Sequence, residues 1–280
     1  MSSSAHLAGT ARPNRRVARL LVGALRPGLA GDLARLRGSE VELARRMPRP
    51  TLVVVVGVTG GAGASTLAAL LGQSLAGLAP GRVAALDGDG VNQMLRARLG
   101  TDESGGLRQM LSAPQAWRAR RRIDQYLARD GRLPLLAAAA AERGWPIRPA
   151  ELEAALGLLR RRYPVVVVDL PAHTGAAGFE WAVRVADHTV VVGPAEVVSL
   201  DRIRQRLSGA DTGATVMVPG RGAAATRAVR VARSAGVRLL PADPALARAG
   251  TVRPAGLRLA TLAAVEEVVC RTTRTWRNQT

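Results

Sequence analysis

From residue 51 onward, short Val-rich runs alternate with longer stretches whose apolar residues return every three or four positions. The run TLVVVVGV, beginning at Thr51, is apolar almost throughout. That is the pattern of a strand covered on both faces of a parallel sheet. Similar runs predict strands at 82–87, 132–138, 164–170, 188–193, 214–219 and 237–241. Between them a 3.6-residue period predicts helices over 65–78, 91–99, 149–162, 176–186, 196–208, 222–235 and 258–274. Strands alternating with helices through right-handed crossovers give an α/β fold, a doubly wound, mainly parallel sheet of about seven strands. No internal repeat or linker interrupts residues 51–280, which read as one domain.

Residues 1–50 have a different texture. Arg12, Arg15, Arg16, Arg19, Arg26, Arg35, Arg37, Arg45, Arg46 and Arg49 face only Asp32, Glu40 and Glu42 in the count of charges. Val17, Leu20, Leu21, Ala24 and Leu25 recur at helical spacing, so this basic preface is expected to be partly helical or disordered. At the other end, Leu259, Leu262, Val265, Val269 and Trp276 form one stripe, with Arg271, Arg274 and Arg277 at its end. Glu266 and Glu267 interrupt any basic face there, so the closing helix is expected to pack on the sheet rather than lie on lipid.

Composition narrows the partners more than the fold. The 280 residues are 48% hydrophobic and 22% charged, which is globular, but only 2% aromatic, so stacking platforms for bases are scarce. All 40 basic residues are arginine; the chain has no lysine. A net charge of +19 makes DNA, anionic membrane or an acidic protein partner candidates for an arginine-rich surface, unless the charge is spread thinly. Cys270 is the lone cysteine, consistent with a reducing cytoplasm. No apolar run reaches the ~18 residues of a membrane span, and no signal-peptide core precedes the first charges. The expected location is the cytoplasm, with peripheral attachment to the inner face of the membrane left open.

The candidate chemistry begins at Gly57, in GVTGGAGASTLAALLGQSLA. A glycine-rich turn between a buried strand and a helix can wrap backbone N–H groups around phosphates, and the helix N-terminus adds its positive dipole end. Here Gly60, Gly61, Ala62, Gly63, Ala64, Ser65 and Thr66 occupy that turn, with Ser65 or Thr66 placed to hold Mg²⁺. Such loops use a lysine on the β- and γ-phosphates; Ala64 stands in its place. Asp87 and Asp169 each follow a Val-rich strand, at the sheet edge where ligands of α/β folds gather.

The loop resembles the deviant P-loop of the MinD/ParA group, K-G-G-x-G-K-[ST]-[ST], with Thr59 at the first lysine and Ala64 at the second. GGAGASTLAA is most similar to CpaE/TadZ-type members, and RRIDQYLARDGRLPLLAA with its basic preface resembles secretion-associated MinD-like proteins of actinomycetes. The segments RVAALDGDGVNQML and RRYPVVVVDLPAH are similar to the family's aspartate-bearing stretches. The resemblance implies Asp87 and Asp169 at Mg²⁺ with Ser65, partly through water, and Asp89 beside the attacking water. It implies Pro194 and Asp243, in the P-A-E and P-A-D-P strand ends, near the base. It also implies ATP or ADP as ligand, a nucleotide-dependent homodimer, and a protein partner in a secretion, pilus or division machine.

Two lost cations weaken the case for turnover. Phosphoryl transfer is positioning plus charge stabilisation, and one such contact is worth ~10²–10³ in rate. Arg82, Arg96 and Arg98 are the sequence-near replacements. His173 reads as a loop-stabilising residue, and Asn92 and Gln93 as ordinary helix-start residues. The expected function is a nucleotide-responsive scaffold or positioning protein with weak or no hydrolysis. Its alternatives are an active ATPase in DNA partitioning or division-site placement, and a nucleotide-free interaction module.

Overall fold

The computed structural model describes residues 50–101, 106–113, 120–131, 133–142, 144–194, 196, 201, 214–218, 237–247 and 250–273. The basic preface, the helices expected at 196–208 and 222–235, and Trp276 with its neighbours lie outside the described residues, Glu196 and Asp201 apart. In chain order the elements are β1 (Thr51–Gly57), α1 (Ala64–Leu78), β2 (Val83–Asp87), α2 (Met94–Leu99), α3 (Leu107–Ser112), β3 (Ala128–Asp130) and β4 (Leu133–Leu136). There follow α4 (Pro149–Arg162), β5 (Val165–Leu170), α5 (Gly175–Val185), β6 (His188–Pro194), β7 (Ala214–Val218), β8 (Arg238–Leu239), α6 (Pro244–Ala247) and α7 (Leu259–Thr273).

The strands form one sheet in the order β3-β4-β2-β5-β1-β6-β7-β8. Every pairing is parallel except β3 with β4, which is antiparallel. The doubly wound, mainly parallel α/β sheet is therefore the one the hydrophobic pattern predicts, with one strand more. That extra strand, β3, reads Ala-Arg-Asp and turns back on β4 through Gly131. It is too short and too charged at the sheet margin to leave an apolar signature.

Side-chain alternation along the strands divides the core in two. Val53 and Val55 of β1 point to the face covered by Leu67, Leu70 and Leu71 of α1 and Val265 and Val269 of α7. Leu52, Val54 and Val56 point to the opposite face, under Leu156 and Leu159 of α4 and Phe179 and Trp181 of α5. With both faces covered, the central strands are apolar through their middles, and their buried polar residues, Asp87 and Asp169 among them, stand at or near the ends. Full burial of each such Val or Leu is worth roughly 1.5–3 kcal/mol.

The closing helix α7 packs beside α1 and against β7 and β8 of the sheet, in keeping with the expectation that it packs on the sheet. Ser74 Oγ donates to the buried Glu266 Oε1 at 3.0 Å, so an acidic residue of that face is tied into the core. None of the helices among the described residues is long and apolar enough to cross a membrane.

Candidate functional site

The site forms where β1, the central strand, ends and the glycine turn begins. Gly61 (φ 74°) and Gly63 (φ 92°) adopt left-handed conformations that a Cβ would penalise, and these reverse the chain into α1. Gly63 is the N-cap of that 15-residue helix, and no side chain caps it. The N–H groups of the first turn therefore face the turn's concave side together with the positive end of the helix dipole. That combination suits an anion.

Three carboxylates gather beside it from β2, β5 and the loop after β2. Asp87 and Asp169 are direct neighbours in the β2–β5 register, and both are fully buried. Burial, then the Asp87 charge alongside, pushes the Asp169 carboxyl well above the usual carboxylate range, against a hydrogen bond from the Ser65 hydroxyl. Burial likewise raises Asp87 to about 7, opposed by hydrogen bonds from the backbone N–H groups of Asp89 and Arg96. Those bonds measure 3.0 Å to Oδ1 and 3.1 Å to Oδ2. Asp87 thus fastens the start of α2, nine residues downstream, to the end of β2.

Asp89 does a similar job in the loop that follows. Its Oδ1 accepts the N–H groups of Val91 and Asn92, and its Oδ2 accepts Asn92 Nδ2. Gly88 lets this loop lie against β5: its N–H donates to Asp169 O at 2.8 Å, where a Cβ would come within 2.6 Å of the same oxygen.

A cavity of about 380 Å³ opens between these parts. Its wall includes all seven residues expected to bind phosphate, Gly60 to Thr66, together with Asp89 and Asp169. Thr59, Asn92, Met94, Arg98 and His173 also line it, although in the sequence Asn92 reads as an ordinary helix-start residue, His173 as a loop-stabilising one and Thr59 only as a lost lysine. Their nearness to the motif was visible; their facing the cavity depends on how α2 and the segment after β5 fold back.

Asp87, Pro194 and Asp243 are not among the lining residues. Asp87 lies behind the wall. Pro194 closes β6 at the margin of the described residues. Asp243 accepts the N–H groups of Ala245 and Arg258, which joins the start of α6 to the approach of α7.

Asp169 Oδ1 is buried without a hydrogen-bond partner, an expensive arrangement for an acceptor unless a ligand or cation completes it. No three acidic, histidine or cysteine groups among the described residues converge to chelate a metal by themselves. The Asp169 carboxylate and the Ser65 hydroxyl are hard oxygen donors, the chemistry that would fit a cation such as Mg²⁺ if other ligands completed its shell.

A family model described as cellulose biosynthesis protein BcsQ matches residues 50–218. The chain belongs to the BcsQ family. No curated protein matches it. Among solved structures, MinD from Pyrococcus horikoshii, complexed with Mg-ADP, is similar at a TM-score of 0.57 and 19% identity, covering 80% of this chain and 95% of that one. A ParA-family ATPase from Chlorobium tepidum is similar at a TM-score of 0.54 and 20% identity over 70% and 84% of the two chains. Aquifex aeolicus MinD, solved in complex with MinC, gives 0.53 and 19% over 82% and 97%. The BcsQ-family chain thus has the MinD/ParA-type P-loop fold.

Proposed function

We propose that this chain binds ATP or ADP with Mg²⁺ in the glycine-turn cavity and hydrolyses ATP weakly or not at all. On this reading it acts as a nucleotide-responsive scaffold or positioning protein. The observation that carries it is one cavity lined both by an uncapped helix N-terminus, suited to phosphate, and by Asp169, whose buried Oδ1 has no partner and suits a cation. Ser65, Asp169 and, behind them, Asp87 are the metal-linked residues; Gly60 to Thr66 hold the phosphates; Pro194 and Asp243 mark the side of the base.

Mg²⁺ would neutralise phosphate charge and offset the crowding of Asp87, Asp89 and Asp169. The chain's own groups position rather than react. Main-chain N–H groups of the turn orient the phosphates, and Ser65 donates to Asp169. Asp89, the candidate for orienting an attacking water, spends both oxygens on its own loop, which argues for slow turnover. With Thr59 and Ala64 in place of lysines, the site retains binding groups and lacks the charge that a phosphoryl-transfer transition state needs.

The loops after β2 and β5 both border the cavity, so a bound triphosphate would order the surface around them and favour a homodimer or a partner contact. The candidate partners are a secretion, pilus or division machine, and the family's description adds a cellulose-synthesising assembly. DNA or an anionic membrane remains a proposed ligand of the arginine-rich surface. Light scattering of the full chain without nucleotide, with Mg·ADP and with Mg·ATP, alongside phosphate release, tests the reading. It predicts a mass change with Mg·ATP alone and turnover far below one per minute; unchanged mass with brisk hydrolysis would sink it.

A further inference from the structure

We infer that Arg98 supplies the cation for the terminal phosphate of a bound triphosphate, a role that in lysine-bearing phosphate loops belongs to the loop itself. This rests on the nucleotide-binding reading above and deepens it. The chain has no lysine, so any full positive charge at the phosphates must come from arginine or histidine. Arg98 is the one arginine among the described residues lining the cavity, where it shares the wall with Asp89, Asn92 and Asp169.

The other sequence-near arginines do not reach that wall. Arg82 is not among the lining residues. Arg96 is only 6% exposed and does not line the cavity; its guanidinium is buried without a hydrogen-bond partner, where its charge acts on Asp87 behind the wall. Arg98 differs in how it is mounted. Its carbonyl accepts the N–H of Val252 at 2.8 Å, and its Nη1 donates to Gly250 O across a long 3.3 Å contact. The backbone is clamped, and a guanidinium bonds a phosphate oxygen more strongly than a neutral carbonyl.

The direction of the phosphate chain follows from the cation site. A cation held by Ser65 and Asp169 would neutralise the outer phosphates of a triphosphate, which would put the terminal one toward Asp169. The loop and helix that carry Asp89 and Arg98 are tied to the strand ends there, by the Gly88 N–H on Asp169 O and the Arg96 N–H on Asp87 Oδ2. A guanidinium fork arriving from α2, outside the turn, can meet two phosphate oxygens at once. Ala64 leaves the interior of the turn without such a group.

Equilibrium binding of radiolabelled ATP and ADP to the full chain, with Mg²⁺, tests this in wild type, Arg98→Met and Arg98→Lys. Arg98→Met is expected to weaken ATP about 10- to 100-fold and ADP by roughly threefold or less, with Arg98→Lys recovering part of the loss. Equal losses for both nucleotides, or none, would overturn the assignment. If Arg98→Met lowers the ligand-free melting temperature, Arg98→Gln, which keeps a donor for Gly250, gives the same comparison. Wild type that binds neither nucleotide overturns this inference and the binding reading together; wild type that binds both, with an unchanged ATP-to-ADP ratio in the variants, overturns this inference alone.

Discussion

Asp169→Asn is the substitution whose effects on stability and on ligand binding should run in opposite directions. The Asp169 carboxyl is 1% exposed, has an unpartnered Oδ1, and lies against the equally buried Asp87. Its ionised form is penalised by burial first and by Asp87 second. Replacing it with a neutral amide of the same shape removes that penalty in the ligand-free protein. The variant is therefore expected to be more stable than wild type at neutral pH when no ligand is bound. For a chain of this size each 1 kcal/mol of that gain raises the melting temperature by roughly 2–4 °C. The gain should shrink on acidification. A carboxyl whose folded pKa is raised disfavours the fold when ionised, so wild type recovers stability as pH falls from the folded value toward 3.8. With ligand the order reverses. Mg·ATP at a hundredfold excess over its Kd stabilises wild type by about 2.7 kcal/mol, and the variant should lose most of that. Differential scanning fluorimetry with and without Mg·ATP reads both effects. A variant that melts below wild type without ligand, or that keeps its Mg-dependent shift, would show that Asp169 is neither strained in the free protein nor a cation ligand in the bound one.

Two further substitutions test the surroundings of the site. Gly88→Ala drives a Cβ to 2.6 Å from Asp169 O and should cost about 1–3 kcal/mol in chemical denaturation, because the oxygen it meets belongs to the backbone of a central strand. Glu151, at the start of α4, accepts hydrogen bonds from the Arg108 side chain and from both the N–H and the guanidinium of Arg148. Burial works to raise its carboxyl, but these bonds outweigh it and bring the group down to about 2. A depressed folded pKa gives stability that is present above about 4.5 and lost as pH falls toward 2. Glu151→Gln should therefore cost on the order of 2 kcal/mol at pH 7 and almost nothing near pH 2, in paired urea titrations.

Much of this architecture was legible in the sequence because its central strands are buried on both faces. A run such as TLVVVV can then be little else, and carboxylates directly after two such runs must lie at the strand ends. The glycine turn was legible because positive φ leaves so few residue choices. What was hidden depends on contacts far apart in the chain. Asp87 faces the N–H of Arg96, and Arg98 meets Val252, pairings that no local pattern announces. Gln93 holds a left-handed conformation (φ 51°) where glycine would ordinarily be read, so the true start of α2 falls later than the apolar spacing indicates. The helix α3 is six residues long, too short for its period to stand out. The charged margin strand β3 was concealed for the same reason of length.

Main-chain N–H groups and a shared cation are proposed to hold a triphosphate here without any lysine. Calorimetric titration of the full chain with ATP, once with Mg²⁺ and once with a chelator, addresses this directly. Two lining carboxylates, Asp89 and Asp169, against one lining arginine should make the cation indispensable, so affinity is expected to fall by about tenfold or more when Mg²⁺ is withdrawn. Equal affinity under both conditions, or no heat of binding under either, would contradict it.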